Sequence, residues 1–422
     1  MLVQKFGGGI LATREDFQRV AKIVQTTKPS VVVVSALQGV TDELIAMLQN
    51  AKNRKEVTTQ LQKLRKKHGK INGELKPLND IFNELEKTLK GVSYTGEYSD
   101  KLYAQVVSRG EYLSALVLQT FLPSYKFWPA ENGLIANGGY LNCRCDFKNS
   151  KKPPAKSIVT GFYGVNEKGE VCLFGRGGSD YSAGAIARII GAEKIEFWKN
   201  VDGFLTADPK ITNNAKFIKE LSFEEAAELS RFGAKILHPS SLEPINSMQI
   251  TVEIKNVLRP NAIGTKIRRQ NSKNEIAAIT GKKNLAIISV SGNEMVEAFG
   301  IASRMLTIVA NAGIPVDVIA TAQANISFTV DEKDEQKALN ALKEMEQFNV
   351  TSKNKLALVG IVGSGIKGNP AFIGKVFTAL LKQNIKIEMI SQGASEIDLS
   401  IIVNQKEYEN AIQAIHEEFF KT

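Results

Sequence analysis

Three short stretches of this 422-residue chain place cations and glycine where a phosphate could be held. Lys5-Phe6-Gly7-Gly8-Gly9 closes an apolar strand candidate and precedes a helix candidate. Backbone N–H groups at such a junction can face an anion, and the Lys5 ammonium can reach a transferred phosphoryl group. Gly175-Arg176-Gly177-Gly178-Ser179-Asp180 is more specific. Its glycines admit close backbone approach, Arg176 offers a planar fork for a carboxylate, and Ser179 with Asp180 opens a helix. Phe232-Gly233-Ala234-Lys235 is the third, ahead of Leu237-His238-Pro239. Lys235 there is either an exposed lysine answering a helix dipole or a second phosphate clamp. His238 reads as a packed or capping residue rather than a base.

The elements that must position these residues alternate in type. Leu2–Phe6 reads as a strand, Thr13-Arg14-Glu15-Asp16 has capping-box spacing, and Phe17, Val20, Ala21 and Val24 form one helical face. The run Val31–Val34 is apolar throughout, as in a buried parallel strand, and Thr41 can cap the helix carrying Leu44, Ile45 and Leu48. This order predicts an α/β fold, an open, mainly parallel sheet between helices. Residues 50–110 read as a helical insertion. Residues 158–162 and 171–174 are expected to flank a hairpin turn at 166–169, and 195–198 to form a further strand. A charged stretch over 266–283 reads as the boundary of the first domain.

Beyond it the pattern repeats. Strands are expected at 285–290, 316–322 and 325–330 with helices at 298–312 and 335–347. The order begins again at 355–362, with a helix at 372–383, strands at 385–391 and 396–403, and a helix at 406–419. Two such α+β (βαββαβ) units predict effector binding. The expected domains are 1–268, 282–350 and 353–422.

An apolar fraction of 43% and a charged fraction of 23% suit a soluble globular protein. No run approaches the ~18–20 apolar residues of a membrane span, and residues 1–7 show no signal-peptide pattern. A cytoplasmic location and no membrane partner are therefore expected. Cys143, Cys145 and Cys172 are too few and too clustered for a disulfide framework and read as reduced thiols. The net charge is +10, and residues 52–70 hold eight Lys/Arg against Glu56 alone. Leu61 and Leu64 interleave with these cations at helical spacing, and no Phe, Tyr or Trp is present to stack on bases. The stretch reads as a solvated helix face, and no nucleic-acid partner is expected.

Taken in order, Lys5-Phe6-Gly7-Gly8, Ser35-Ala36 with Thr41, Ser108-Arg109-Gly110-Glu111, residues 175–182, Val201-Asp202-Gly203 with Thr206-Ala207-Asp208-Pro209, residues 232–239 and Pro260-Asn261-Ala262-Ile263-Gly264-Thr265 resemble the aspartate kinase family. The repeated units resemble its paired ACT domains. The resemblance covers essentially the whole chain. It implies the amino-acid-kinase fold and transfer of the ATP γ-phosphoryl to the β-carboxylate of L-aspartate, the first step of lysine, threonine and methionine biosynthesis. It implies Lys5 and Lys235 as charge-neutralising lysines, Asp180 as their orienter, and Gly7, Gly8 and Ser35 along the phosphate path. Arg176 would hold a substrate carboxylate and Glu111 the ammonium, with Thr41, Phe162 and Ser179 completing the pocket. Mg²⁺ would be held mainly by the ATP phosphates, with no protein ligand.

Departures from the family pattern cluster around the nucleotide. Gly9 and Ile10 stand where Thr or Ser and then Ser are usual, and Lys199-Asn200 replaces a Thr-Asp pair. Leu205 replaces an aromatic residue and Lys210 an arginine. These four positions (199, 200, 205 and 210) are expected nucleotide contacts. In the first ACT-like unit Met295, Val316, Asp317 and Thr321 match the effector pocket of lysine-sensitive relatives. A homodimer or higher assembly through these units, inhibited by lysine or threonine, is expected. The alternatives are an amino-acid-sensing paralogue of weak catalytic power and a kinase of the same fold acting on another amino acid.

Overall fold

A computed structural model describes residues 1–73, 76–233, 236–269, 275–295, 299–393 and 397–420. The described chain divides into two units. The first holds residues 1–203, 219–223 and 236–270, and the second 204–218, 224–235 and 271–422.

In the first unit, β1 (Leu2–Phe6), α1 (Arg14–Thr27), β2 (Val31–Val34) and α2 (Val40–Lys52) follow in the expected order. The Thr13 side chain and Asp16 form the predicted capping box, and all four residues of β2 are buried. The insertion is three helices, α3 (Thr58–Asn72), α4 (Lys76–Thr95) and α5 (Asp100–Phe121). Leu61, Leu64, His68 and Ile71 form the buried stripe of α3. After β3 (Lys126–Trp128) comes a hairpin, β4 (Ala136–Gly139) with β5 (Asn142–Cys145).

The expected strand over 158–162 divides. β6 (Ser157–Thr160) joins the main sheet, while β7 (Tyr163–Val165) forms the hairpin with β8 (Val171–Leu173). Phe162 stands at the break with φ +77, a left-handed conformation uncommon for an aromatic residue. Then follow α6 (Gly178–Ile190), β9 (Lys194–Lys199), β10 (Glu220–Ser222), β11 (Thr251–Asn256) and β12 (Thr265–Arg268), while α7 (Phe223–Arg231), which comes after β10 in the chain, falls in the second unit from residue 224 on. The eight-stranded sheet runs β10-β12-β11-β9-β1-β2-β6-β3 and is parallel except at the β11–β12 pair. Cys143, Cys145 and Cys172 are free, buried thiols.

The second unit is built on a six-stranded sheet, β14-β15-β13-β16-β18-β17, whose two repeats carry four helices among the described residues. Its elements are β13 (Ala278–Ser291), α8 (Ile301–Asn311), β14 (Ile319–Ala322), β15 (Asn325–Asp331) and α9 (Glu335–Leu342). The order repeats in β16 (Asn349–Val362), α10 (Pro370–Lys382), β17 (Ile387–Ser391), β18 (Asp398–Asn404) and α11 (Tyr408–Phe420). The two long strands serve both repeats. The second half of β13 pairs with β15, while its first half, 278–282, pairs only with residues 358–362 of β16. Those β16 residues pair on their other side with β18. The first half of β13 therefore supplies the fourth strand that the second repeat lacks at its own end. Residues 278–282, within the charged boundary stretch of the sequence, are strand.

Candidate active site

At the C-terminal ends of β1, β2 and β9, side chains from distant segments converge on one cavity of about 370 Å³. Ligands of open α/β sheets bind at this end of the strands. Lys5, Gly8, Ser35, Thr41, Glu111, Phe162, Ser179 and Asp180 line it. β1 carries Lys5 to the site, α2 presents Thr41 in its first turn, and α5 presents Glu111 midway along its length. Gly177, with φ +75, turns the chain into α6 so that Ser179 and Asp180 occupy its first turn. Gly8 is fixed by close approach: a Cβ there would lie 2.7 Å from the Ala36 carbonyl oxygen. A Cβ on Gly7 would lie 3.5 Å from the Lys5 Nζ.

Charge is arranged around one carboxylate. Lys5 forms an ion pair with Asp180, both being buried. Lys199 Nζ, at the end of β9, donates to the other Asp180 oxygen at 3.1 Å. Burial opposes ionisation of Asp180, but the two lysines outweigh it and hold its pKa at about 2. Burial lowers the Lys5 pKa below its usual value, with Asp180 opposing the shift and Lys199 adding to it.

Glu111 is the contrasting group. Burial pushes its pKa up to about 8, against the amides of Ala36 and Glu111 and the charge of Lys5. Ser179 Oγ donates to Glu111 Oε1 at 3.5 Å. The second oxygen, Oε2, is buried with no hydrogen-bond partner among the described residues. A buried acceptor without a donor is costly, and a ligand ammonium would satisfy it.

Other expected residues lie elsewhere. Arg176 is exposed and is not among the residues lining the cavity. Its carbonyl accepts from Ser240 Oγ at 3.4 Å. Asn200 is exposed just beyond β9. Leu205 and Lys210 belong to the second unit, Leu205 bridging to Phe217 and the Lys210 N–H donating to Asp208 Oδ1 at 2.8 Å. Lys235 lies outside the described residues. His238 caps a short turn, its Nδ1 accepting from the Ser240 N–H at 3.3 Å. Among the described residues no three His, Cys, Asp or Glu side chains come together as a metal site.

Of the effector candidates, Met295 is buried in the core of the first repeat and Val316 packs against that core. Asp317 accepts from Lys282 Nζ at 2.8 Å, and Lys282 also reaches Asp331 at 2.7 Å. Thr321 instead lines a separate hollow of about 450 Å³ with Ser289, Lys353 and Glu388. Among the described residues no helix is long and apolar enough to cross a membrane.

The pairing of Lys199 with Asp180 was not readable in the sequence, because they stand 19 positions apart, one at the start of α6 and the other at the end of β9. Only the spatial neighbourhood of β1, β9 and α6 reveals it.

Residues 1–256 match the amino acid kinase family, and residues 288–345 and 359–419 match the ACT domain. Aspartokinase 1, chloroplastic, of Arabidopsis thaliana is 31% identical over 458 residues, covering 100% of this chain and 80% of that protein. The crystal structure of E. coli aspartokinase III in complex with aspartate and ADP (R-state) resembles this chain with TM-score 0.85 at 26% identity, over 100% of both chains. The T-state of that enzyme, in complex with lysine and aspartate, gives TM-score 0.81 at 27% identity, over 100% of both chains. An amino-acid-kinase sheet followed by ACT repeats, shared with such relatives along the whole chain, places this protein in the aspartokinase family.

Proposed function

We infer that this chain is an ATP-dependent aspartate kinase, transferring the γ-phosphoryl group of ATP to the β-carboxylate of L-aspartate to give β-aspartyl phosphate. The observation that carries the site assignment is the buried, unsatisfied Oε2 of Glu111 in the same cavity as the Lys5–Asp180–Lys199 cluster. The substrate ammonium takes Glu111, which ionises as it binds. Thr41, Ser179 and Phe162 complete the pocket. Arg176, at present exposed, closes on a substrate carboxylate.

A carboxylate nucleophile needs no general base, so the residues act by position and charge. Asp180 holds the Lys5 ammonium at the end of β1, where it neutralises charge developing on the transferring group. Lys199 is less buried than Lys5 and is free to exchange Asp180 for a nucleotide phosphate. Gly7, Gly8 and Ser35 shape the phosphate path. Asn200, Leu205, Lys210 and Lys235 are proposed nucleotide contacts on the family resemblance. With Asp180 already occupied by two lysines, the donors present do not suit a resident metal, and Mg²⁺ enters as part of the MgATP substrate.

The ACT repeats are proposed to bind an amino-acid effector and to carry a dimer contact. An effector ammonium at Asp317 would share that carboxylate with Lys282, which counts against a second cation and narrows any preference for lysine over threonine. Incubation with aspartate, MgATP and hydroxylamine tests the catalytic reading: aspartyl hydroxamate should accumulate only when all three are present.

A further inference from the structure

Besides Glu111 on α5, the helical insertion reaches the substrate cavity's wall through a lysine of α3. α3 buries its apolar stripe and turns its cations outward, but Lys67 does not simply face solvent. Its Nζ donates to the carbonyl oxygen of Gln38 at 2.7 Å and to Glu43 Oε1 at 2.7 Å. Gln38 and Gly39 form the turn that opens α2, and both line the cavity with Ala36, Leu37 and Thr41. From the other side the Gln38 N–H donates to the Leu11 carbonyl at 3.0 Å. The turn is thus clamped at both polar groups of one peptide residue, by Leu11 and by Lys67.

Helix stabilisation does not explain this lysine. It lies at the N-terminal end of α2, where the helix dipole disfavours a cation. Asp42 and Glu43, in the first turn, already supply the favoured charge. What the ammonium adds is a fixed orientation for the Gln38 carbonyl, and so for the peptide planes on either side. Two groups of the aspartate pocket depend on that turn: Thr41, two residues on from Gly39, and the Ala36 amide, which favours the ionised form of Glu111. Gly39 holds φ +78, a left-handed conformation that glycine adopts readily.

We propose that Lys67 is a positioning residue for the amino-acid substrate, fixing the 36–39 turn so that Thr41 and Glu111 meet aspartate in register. The inference rests on the cavity being the aspartate site. It gives the basic insertion a role in catalysis that its composition did not suggest.

Steady-state kinetics of Lys67→Met, Lys67→Arg, Lys63→Met and Glu111→Gln test it, with thermal melting of each. Lys67→Met should raise KM for aspartate about tenfold, since small misplacements of a bound reactant are costly. Its kcat, its KM for ATP and its Tm should stay near those of the parent. Lys67→Arg should recover part of the loss, and Lys63→Met, one turn earlier on α3, should show none. An unchanged aspartate KM in Lys67→Met, or a lowered Tm with that KM intact, would overturn the proposal. Should Glu111→Gln also leave the aspartate KM untouched, the cavity assignment itself is wrong, and the two failures are told apart.

Discussion

Lys5 and Lys199 hold the same carboxylate from two strands, and their unequal burial separates their roles. Lys5, fixed beneath the cavity floor, cannot be replaced by solvent when phosphate charge develops. Lys5→Ala should therefore lower kcat by ~10²–10³ in a folded protein, the usual cost of losing a preorganised charge donor. Lys235→Ala should do the same if the family resemblance holds at that position, and near-normal turnover in either variant would remove it from the mechanism. Glu111 sets a pH dependence whose sign is fixed by its pKa of about 8. Below that value the free protein carries Glu111 protonated, and binding the ammonium must expel the proton. Apparent aspartate affinity should rise about tenfold per pH unit from pH 6 towards 8 and then level off. Glu111→Gln should bind weakly and without that slope; a parent protein with no slope would show that Glu111 does not receive the ammonium. The same shift makes folding less favourable as pH rises between the ordinary glutamate range and about 8, since the folded state there holds the extra proton. Arg176→Lys should raise the aspartate KM because lysine cannot make a bidentate contact. An unaltered KM would leave Arg176 at the surface where the structure shows it.

Glycine at the first strand–helix junction is where backbone contact, rather than side-chain chemistry, decides the site. Gly8→Ala would set a methyl 2.7 Å from the Ala36 carbonyl oxygen, so the ends of β1 and β2 must separate. The cost should be about 1–3 kcal/mol of stability, with turnover falling alongside; a fully active, equally stable variant would mean the junction is looser than described. The elements that form this junction were legible in the sequence because their signals are local. Val31–Val34 announces a buried strand, and Thr13 with Asp16 announces a helix start. Three features were not legible. The segment over 158–162 looks continuous, and only the positive φ of Phe162 divides it into β6 and β7. Ala136-Asn137-Gly138-Gly139 carries no apolar alternation, yet pairs with 142–145 as a strand. Residues 278–282 end in a lysine and read as part of a domain boundary, and become strand only because residues 358–362 of β16 supply the partner. Site residues followed the same division. Lys5, Ser179 and Asp180 sit in glycine-marked junctions, whereas Lys67 lay inside a charge run and Glu111 needed the family resemblance.

At the scale of the whole molecule, one long sheet built by both ACT repeats is suited to respond as a unit, because β13 and β16 each belong to both. An effector can inhibit only by binding an inactive form more tightly than the active one. Titration with lysine, threonine and methionine should reveal inhibition by at least one at millimolar concentration, and Asp317→Ala should weaken it without abolishing catalysis. No inhibition by any of the three, with Asp317→Ala indistinguishable from the parent, would make the repeats structural. The central claim, however, is the reaction itself. The most direct measurement is trapping of the acyl phosphate with hydroxylamine in the presence of MgATP and either aspartate, glutamate or no amino acid. The account predicts aspartyl hydroxamate in stoichiometry with ADP, little glutamyl hydroxamate, and none without substrate. ADP release without hydroxamate, or equal yields from glutamate and aspartate, would contradict it.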